Sequence, residues 1–172
     1  MRDIWIRSGI VALVLAGGAA HSQTPQEYKT LGMAELLSIV EQGGLDVVAI
    51  ERGNMMVSDG KGFPARLTLA GCDADRSCRV VRIYTRYVIG DSQQGIGALN
   101  DYSRNFTSAT LIRVMVDEEP AVDVGRDASL ERGRTAGEIV GEIATAMSDA
   151  QLLREKLMAA DPFLKAALGG KN

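Results

Sequence analysis

Histidine and tryptophan occur once each in this chain, as His21 and Trp5, and aromatic residues make up only 5% of it. Basic residues are not in excess: 19 Lys and Arg stand against 22 Asp and Glu, a formal net charge of −3. That balance gives no reason to expect nucleic acid or anionic lipid as a partner. No G-x-x-x-x-G-K-[ST] phosphate loop is present, and Gly95-Ile96-Gly97 is only a fragment of a dinucleotide fingerprint, read as helix filler. The scarcity of aromatic rings argues against a sugar site built around two carboxylates. Beyond the N-terminus no apolar run is long enough to cross a bilayer.

The N-terminus is where the chain departs from an ordinary globular composition. Arg2 and Arg7 supply positive charge, Ile10 to Ala16 is unbroken apolar sequence, and Gly17-Gly18-Ala19-Ala20 precedes polar His21-Ser22-Gln23. That order of charged, apolar and small residues is the pattern of a secretory signal peptide. The apolar core is short of the roughly 20 residues that span about 30 Å of hydrocarbon. The expectation is a signal peptide over 1–22, cleaved near Ser22, with cleavage after Ala20 and an uncleaved anchor as rivals. Residues 23–32 read as a flexible lead-in and 33–168 as a single α+β domain. Cleavage removes Arg2, Arg7 and Asp3, leaving 17 basic and 21 acidic residues and a net charge of −4. It also removes the one histidine, and with it Ser-His-Asp and Cys-His catalysis and any histidine metal ligand. The expected location is the periplasm or outside the cell, without stable membrane insertion after cleavage.

Cys72 and Cys78 flank Asp73-Ala74-Asp75-Arg76-Ser77. In an exported chain such a pair reads as a disulfide, and Gly71, Asp and Ser favour the turn that brings the sulfurs together. The closed loop is short, so the entropic gain is only about 2 kcal/mol. A zinc site would need four ligands. A redox pair normally has two residues between its cysteines and a feature that lowers one thiol pKa; the neighbours here are acidic.

Along the chain, Met33, Leu36, Leu37 and Val40 trace one face of a helix, stopped by Gly43-Gly44. Val47 to Glu51 and Met55 to Val57 are β-type runs around an Arg52-Gly53-Asn54 turn. Phe63, Ala65, Leu67 and Leu69 alternate with polar or small residues. Val81, Ile83, Thr85, Tyr87 and Ile89 share one face of a long strand. Val80, Arg82, Tyr84, Arg86 and Val88 share the other, whose mixed character predicts partial exposure. A second helix follows Gly90-Asp91-Ser92, with Ile96, Leu99 and Tyr102 or Ser103 inward. Thr110 to Val116 and Ala121 to Val124 are strands joined at Glu118-Glu119-Pro120. Thr135 and Glu138 form a capping box before a helical stripe of Ala136, Ile139, Val140, Ile143, Ala144 and Met147. The expected fold is α+β: an antiparallel sheet of about five strands, in the order α-β-β-β-α-β-β-α, with helices packed on one face.

Few residues stand out as a site. Arg82, Tyr84 and Arg86 form a basic-aromatic stripe on one strand face, a possible binding face that is alternatively a solvated surface; single-stranded nucleic acid can use such a stripe, which suits an acidic exported protein poorly. Asp73 and Asp75 lack a calcium-loop pattern and read as a solvated turn. Met55 and Met56 read as core or as an adaptable surface. Asn105-Phe106-Thr107 matches a glycosylation sequon and is taken as chance.

Leu67-Thr68-Leu69 leading into Gly71-Cys72, closure at Cys78 before a long strand, Leu99-Asn100-Asp101-Tyr102-Ser103-Arg104 on the middle helix, Phe106 before a strand, and Gly133-Arg134-Thr135 before the last helix resemble the YbjN family. That family of candidate sensory transduction regulators has a fold similar to type III secretion chaperones. The family's middle helix carries Trp-Asn where this chain has Tyr102-Ser103. The likeness spans about residues 33 to 158. It implies a non-enzymatic binding or regulatory role, recognition of a protein segment, and a possible homodimer; it implies no catalytic residues, metal or cofactor. The competing expectation is a small carboxylate-dependent hydrolase or a ligand-binding envelope protein, which would need convergent ionisable groups in a pocket.

Overall fold

The computed structural model describes residues 25–60, 63–105 and 109–169. The expected signal peptide, Lys61-Gly62, and Phe106-Thr107 of the sequon lie outside them. The elements are β1 (Glu27–Tyr28), α1 (Met33–Gln42), β2 (Asp46–Glu51), β3 (Asn54–Ser58), β4 (Pro64–Cys72), β5 (Cys78–Val88), α2 (Gln93–Asn105), β6 (Thr110–Val116), β7 (Glu119–Ser129), β8 (Arg134–Thr135), α3 (Ala136–Ala160) and α4 (Pro162–Leu168). Strands β2 to β7 make one six-stranded antiparallel sheet in the order β2-β3-β4-β5-β7-β6, and β1 pairs with β8 in a second, two-stranded sheet.

The α+β class holds, and the strand count is corrected: six strands, with four before the middle helix. The cause is local. Arg52 and Gly53 both take positive φ, 48° and 80°, which closes a two-residue hairpin between β2 and β3. Segment 46–58 is therefore two full strands. The first four strands follow one another as a meander, each pairing with its predecessor. After α2 the chain lays down β6 at the outside and returns through β7, which slots between β6 and β5.

The lead-in reading is corrected for 27–32. Glu27 and Tyr28 pair with Thr135 and Arg134. Leu31 is fully buried and exchanges both backbone hydrogen bonds with Cys78, at 2.8 and 3.0 Å. The stretch is largely polar, and Leu31 reaching the core anchors it.

Helix α3 is the spine of the helical layer. Ile139, Ile143, Ala146, Met147, Ala150, Leu153 and Leu157 are buried along it, the three- and four-residue spacing of one helix face. Ala144, expected inward, is exposed, and Ala146 takes the core position. The helix packs across β4, β5 and β7 and carries α1, α2 and α4 at its sides. The expected capping box forms: Thr135 Oγ1 accepts from the Glu138 backbone N–H at 3.3 Å, and the Glu138 carboxylate accepts from the Thr135 N–H at 2.7 Å. The Thr135 N–H, and then the Thr135 hydroxyl, which also donates to the carboxylate at 2.9 Å, hold the Glu138 carboxyl below its ordinary range. At the other end, Asp161 accepts from the Phe163 N–H and from the Ser92 hydroxyl, while Ser92 Oγ accepts from the Gly95 N–H. One short chain of hydrogen bonds thus caps both α4 and α2. The Ser92 hydroxyl, and then the Phe163 N–H, hold Asp161 below its ordinary pKa. Gly95 makes room for Leu164 there: a Cβ would stand 2.8 Å from Leu164 Cδ1 and push that side-chain end aside.

Cys72 and Cys78 are directly opposed at the β4–β5 corner and bonded, with Cα atoms 3.8 Å apart. Asp73 pairs with Arg79 at 3.3 Å and Asp75 accepts from the Ser77 N–H, so both aspartates serve the turn.

Candidate binding face

Alternation along β5 divides its side chains between two environments. Val81, Ile83, Thr85 and Tyr87 are buried on the helix side, where the Tyr87 hydroxyl donates to the Ala150 carbonyl of α3 at 2.9 Å. Burial raises the Tyr87 pKa. Arg82, Tyr84 and Arg86 stand on the opposite side, Tyr84 half-buried and both arginines exposed. Arg79, one register away, belongs to the other alternation and to the disulfide turn.

The antiparallel register sets Arg82 opposite Asp127 and Arg86 opposite Asp123, with Gly125 opposite Tyr84. Both ion pairs are two-pronged: Arg82 donates to Asp127 at 3.1 and 3.2 Å, and Arg86 to Asp123 at 2.5 and 2.7 Å. The hydrogen bonds to Asp127 and Asp123, together with the carboxylate charges, hold both guanidinium groups even more firmly protonated. The Arg82 pair is half exposed on both sides, so it adds under about 1 kcal/mol to stability. What the pairs do is fix the direction of two long side chains on either side of Tyr84.

Gly125 leaves a gap between the two pairs. A Cβ there would come within 1.9 Å of the Ile83 carbonyl oxygen and 2.7 Å of Tyr84 Cα. The two backbones approach too closely for any other residue, so the gap is built in. It opens a depression of about 430 Å³ that reaches Asn54 and Thr68 on one side and Thr110 and Ile112 on the other. A second, of about 440 Å³, shares Asn54 and extends over Ala49, Glu51, Met56 and Arg66. A third, of about 170 Å³, joins Arg66 to Tyr84 and Arg86. Together they cross the sheet from β2 to β6. Five interstrand spacings span on the order of 24 Å, the length of roughly seven extended residues.

The β5 alternation points to Arg82, Tyr84 and Arg86 on this face, and Met56 has surface as one of its two expectations; the neighbours on β4, β6 and β7 come only from register. Arg66 lies opposite Tyr84 on β4, and the guanidinium carbons of Arg66 and Arg86 sit 5.9 and 5.8 Å from the ring centroid. Such contacts are worth about 0.5–1 kcal/mol at exposed sites. Thr68 Oγ1 donates to Asn54 Oδ1 at 2.5 Å. Met56 lies half-buried on this face while Met55 is in the core, so the two expectations for the methionines divide between them. Ile112 is 50% exposed here.

Two other clusters lie outside the face. Arg126 alternates onto the helix side, 2.8 Å from Glu142 and 3.8 Å from Asp149; Glu142 also takes Arg134 at 2.8 Å. These pairs clamp β7 and β8 to α3. Tyr102 is fully buried and donates to the Asp149 carbonyl at 3.0 Å, and burial pushes its pKa up to about 12. Tyr102 is therefore a core anchor. Among the described residues, no group of three or more His, Cys, Asp or Glu is placed to hold a metal ion, and no helix is long and apolar enough to cross a membrane.

No family model matches the sequence, and no curated protein does. Two solved structures share the fold. One is YbjN from E. coli, described as a candidate transcription regulator: TM-score 0.57, 12% identity, covering 75% of this chain and 91% of that one. The other is an uncharacterized protein from Methanothermobacter thermautotrophicus: TM-score 0.52, 9% identity, covering 75% and 98%. At such identities the likeness is one of fold, and the fold of this chain is that of YbjN.

Proposed function

We propose that this protein is an exported, non-enzymatic binding module that seats an extended protein segment across the bare face of its sheet. The observation that carries this reading is the row of three adjoining depressions from β2 to β6 around the Arg66–Tyr84–Arg86 stack. Its length suits a short peptide, and its lining mixes an aromatic ring, apolar Met56 and Ile112, and fixed polar groups, the mixture that peptide-binding surfaces use. The carboxylates beside Tyr84 are each held by an arginine fork, which favours recognition over acid–base chemistry. The carboxylates held below their ordinary range, Glu138 and Asp161, are helix caps. The disulfide and the N-terminal sequence pattern support export.

The test is selection of phage-displayed random heptapeptides on the immobilised full chain, followed by binding of the selected peptides to Tyr84→Ala. The reading expects enriched peptides that lose at least ten-fold in affinity. It fails if nothing is enriched, or if enriched peptides bind Tyr84→Ala equally well.

A further inference from the structure

We infer that the segment seated on this face carries a carboxylate, and that Arg66 is the residue that holds it. This rests on the bare face being the binding face, and it adds the chemistry of the ligand and the residue that selects it.

Three arginines surround the centre of the face, and they are not equivalent. Arg82 and Arg86 each spend their guanidinium fork on an aspartate of β7. Arg66 makes no ion pair and no side-chain hydrogen bond with another described residue, and its interaction is with the Tyr84 ring. It is half-buried, between Met56 of β3 and Tyr84 of β5, which are its direct cross-strand neighbours. A guanidinium so placed has lost part of its hydration and has five donors to satisfy. Its planar fork matches a carboxylate, and a charge-assisted pair there gains more than one in open water. Arg66 also lines both the second and third depressions, so an extended segment crossing the face passes over it.

The charge pattern limits the ligand to an isolated acid. Arg52, Arg66, Arg82 and Arg86 stand against Glu51, Asp123 and Asp127, an excess of a single cation. A run of phosphates would meet the two β7 carboxylates on either side of Gly125, and nucleic acid binding needs several uncompensated cations. The half-buried fork of Arg66, with Tyr84 and Ile112 offering apolar contact nearby, fits an acidic side chain flanked by apolar ones, while Arg52 lies exposed at the β2–β3 hairpin tip.

The experiment uses peptides selected on the full chain as above. Enriched sequences are expected to share an Asp or Glu at one aligned position. Changing that acid to its amide should weaken binding about ten- to a hundred-fold. Arg66→Met, which keeps the apolar stem, should cost the same, and the two changes together should cost no more than either alone. Arg66→Gln serves as the second variant, with circular dichroism and thermal unfolding of both verifying that the chain folds. The inference is overturned if the acid and Arg66 act independently, or if selected peptides need Tyr84 and share no acid; in the latter case the binding face stands and its chemistry is different. If peptides survive both Tyr84→Ala and Arg66→Met, or none is enriched, the face itself is wrong. Binding of a fluorescein-labelled oligo-dT that Arg66→Met abolishes would replace the carboxylate by phosphate and overturn the assignment.

Discussion

On β5, Val81, Ile83 and Tyr87 are buried under the helices, while Arg82, Tyr84 and Arg86, one residue out of phase on the same strand, look out from the bare side. The helix side is held by apolar area, with Tyr87 adding one hydrogen bond to α3. The bare side is held by side-chain geometry: two arginine–aspartate forks, two arginines against one ring, and a glycine gap. Burial makes stability on one side. On the other, exposed ion pairs make little stability and a good deal of shape. Among the described residues, helices cover the six-stranded sheet on one side alone, and the other side is organised by its side chains.

The sharpest way to break the contrast is to truncate adjacent residues. Ile83→Ala should lower unfolding free energy by about 3 kcal/mol, since it removes a fully buried side chain from under α3. Tyr84→Ala should cost about 1 kcal/mol or less. Urea unfolding of both variants measures the difference, and equal losses would erase the distinction between the two sides. Next in size is the corner that joins β4 to β5 beneath both. Cys72→Ser should cost about 2 kcal/mol under oxidising conditions. Because Leu31 is bonded to Cys78, the same variant should speed hydrogen exchange at Leu31, which mass spectrometry reads. Smaller still is Arg82→Met, at about 0.5 kcal/mol and diminishing with salt.

Much of this contrast was legible in the sequence. The period-two alternation of β5 assigned every residue to its side, and the Thr135–Glu138 pattern marked the start of α3. The cysteine spacing located the corner. What was not legible depended on register between distant strands. Arg82 and Arg86 are four apart on β5, and Asp123 and Asp127 are four apart on β7, so one antiparallel alignment satisfies both pairs. That matched spacing was the available signal, and it becomes visible only once β7 is known to lie beside β5. Arg66 and Gly125 gave no signal of their own: an alternating arginine and an isolated glycine mean something only across from Tyr84. Leu31 gave no signal for the same reason, being one apolar residue in a largely polar stretch.

Acid sharpens the contrast from the helix side. Glu138 and Asp161 cap helices, and both have folded-state pKa values below their ordinary 4.5 and 3.8. Their contribution is complete above about pH 4.5 and is lost as pH falls through the lowered values. Urea midpoints should therefore drop between pH 5 and pH 2.5. Thr135→Ala, which removes the hydroxyl partner of Glu138, should lessen that drop.

The most direct measurement is chemical-shift mapping of the isotope-labelled full chain with the tightest selected peptide. The account predicts that the largest shifts fall at Arg66, Tyr84, Arg86 and Gly125, with the amides of α3 left in place. Shifts concentrated on α2, α3 or α4, with those four residues unmoved, would contradict it.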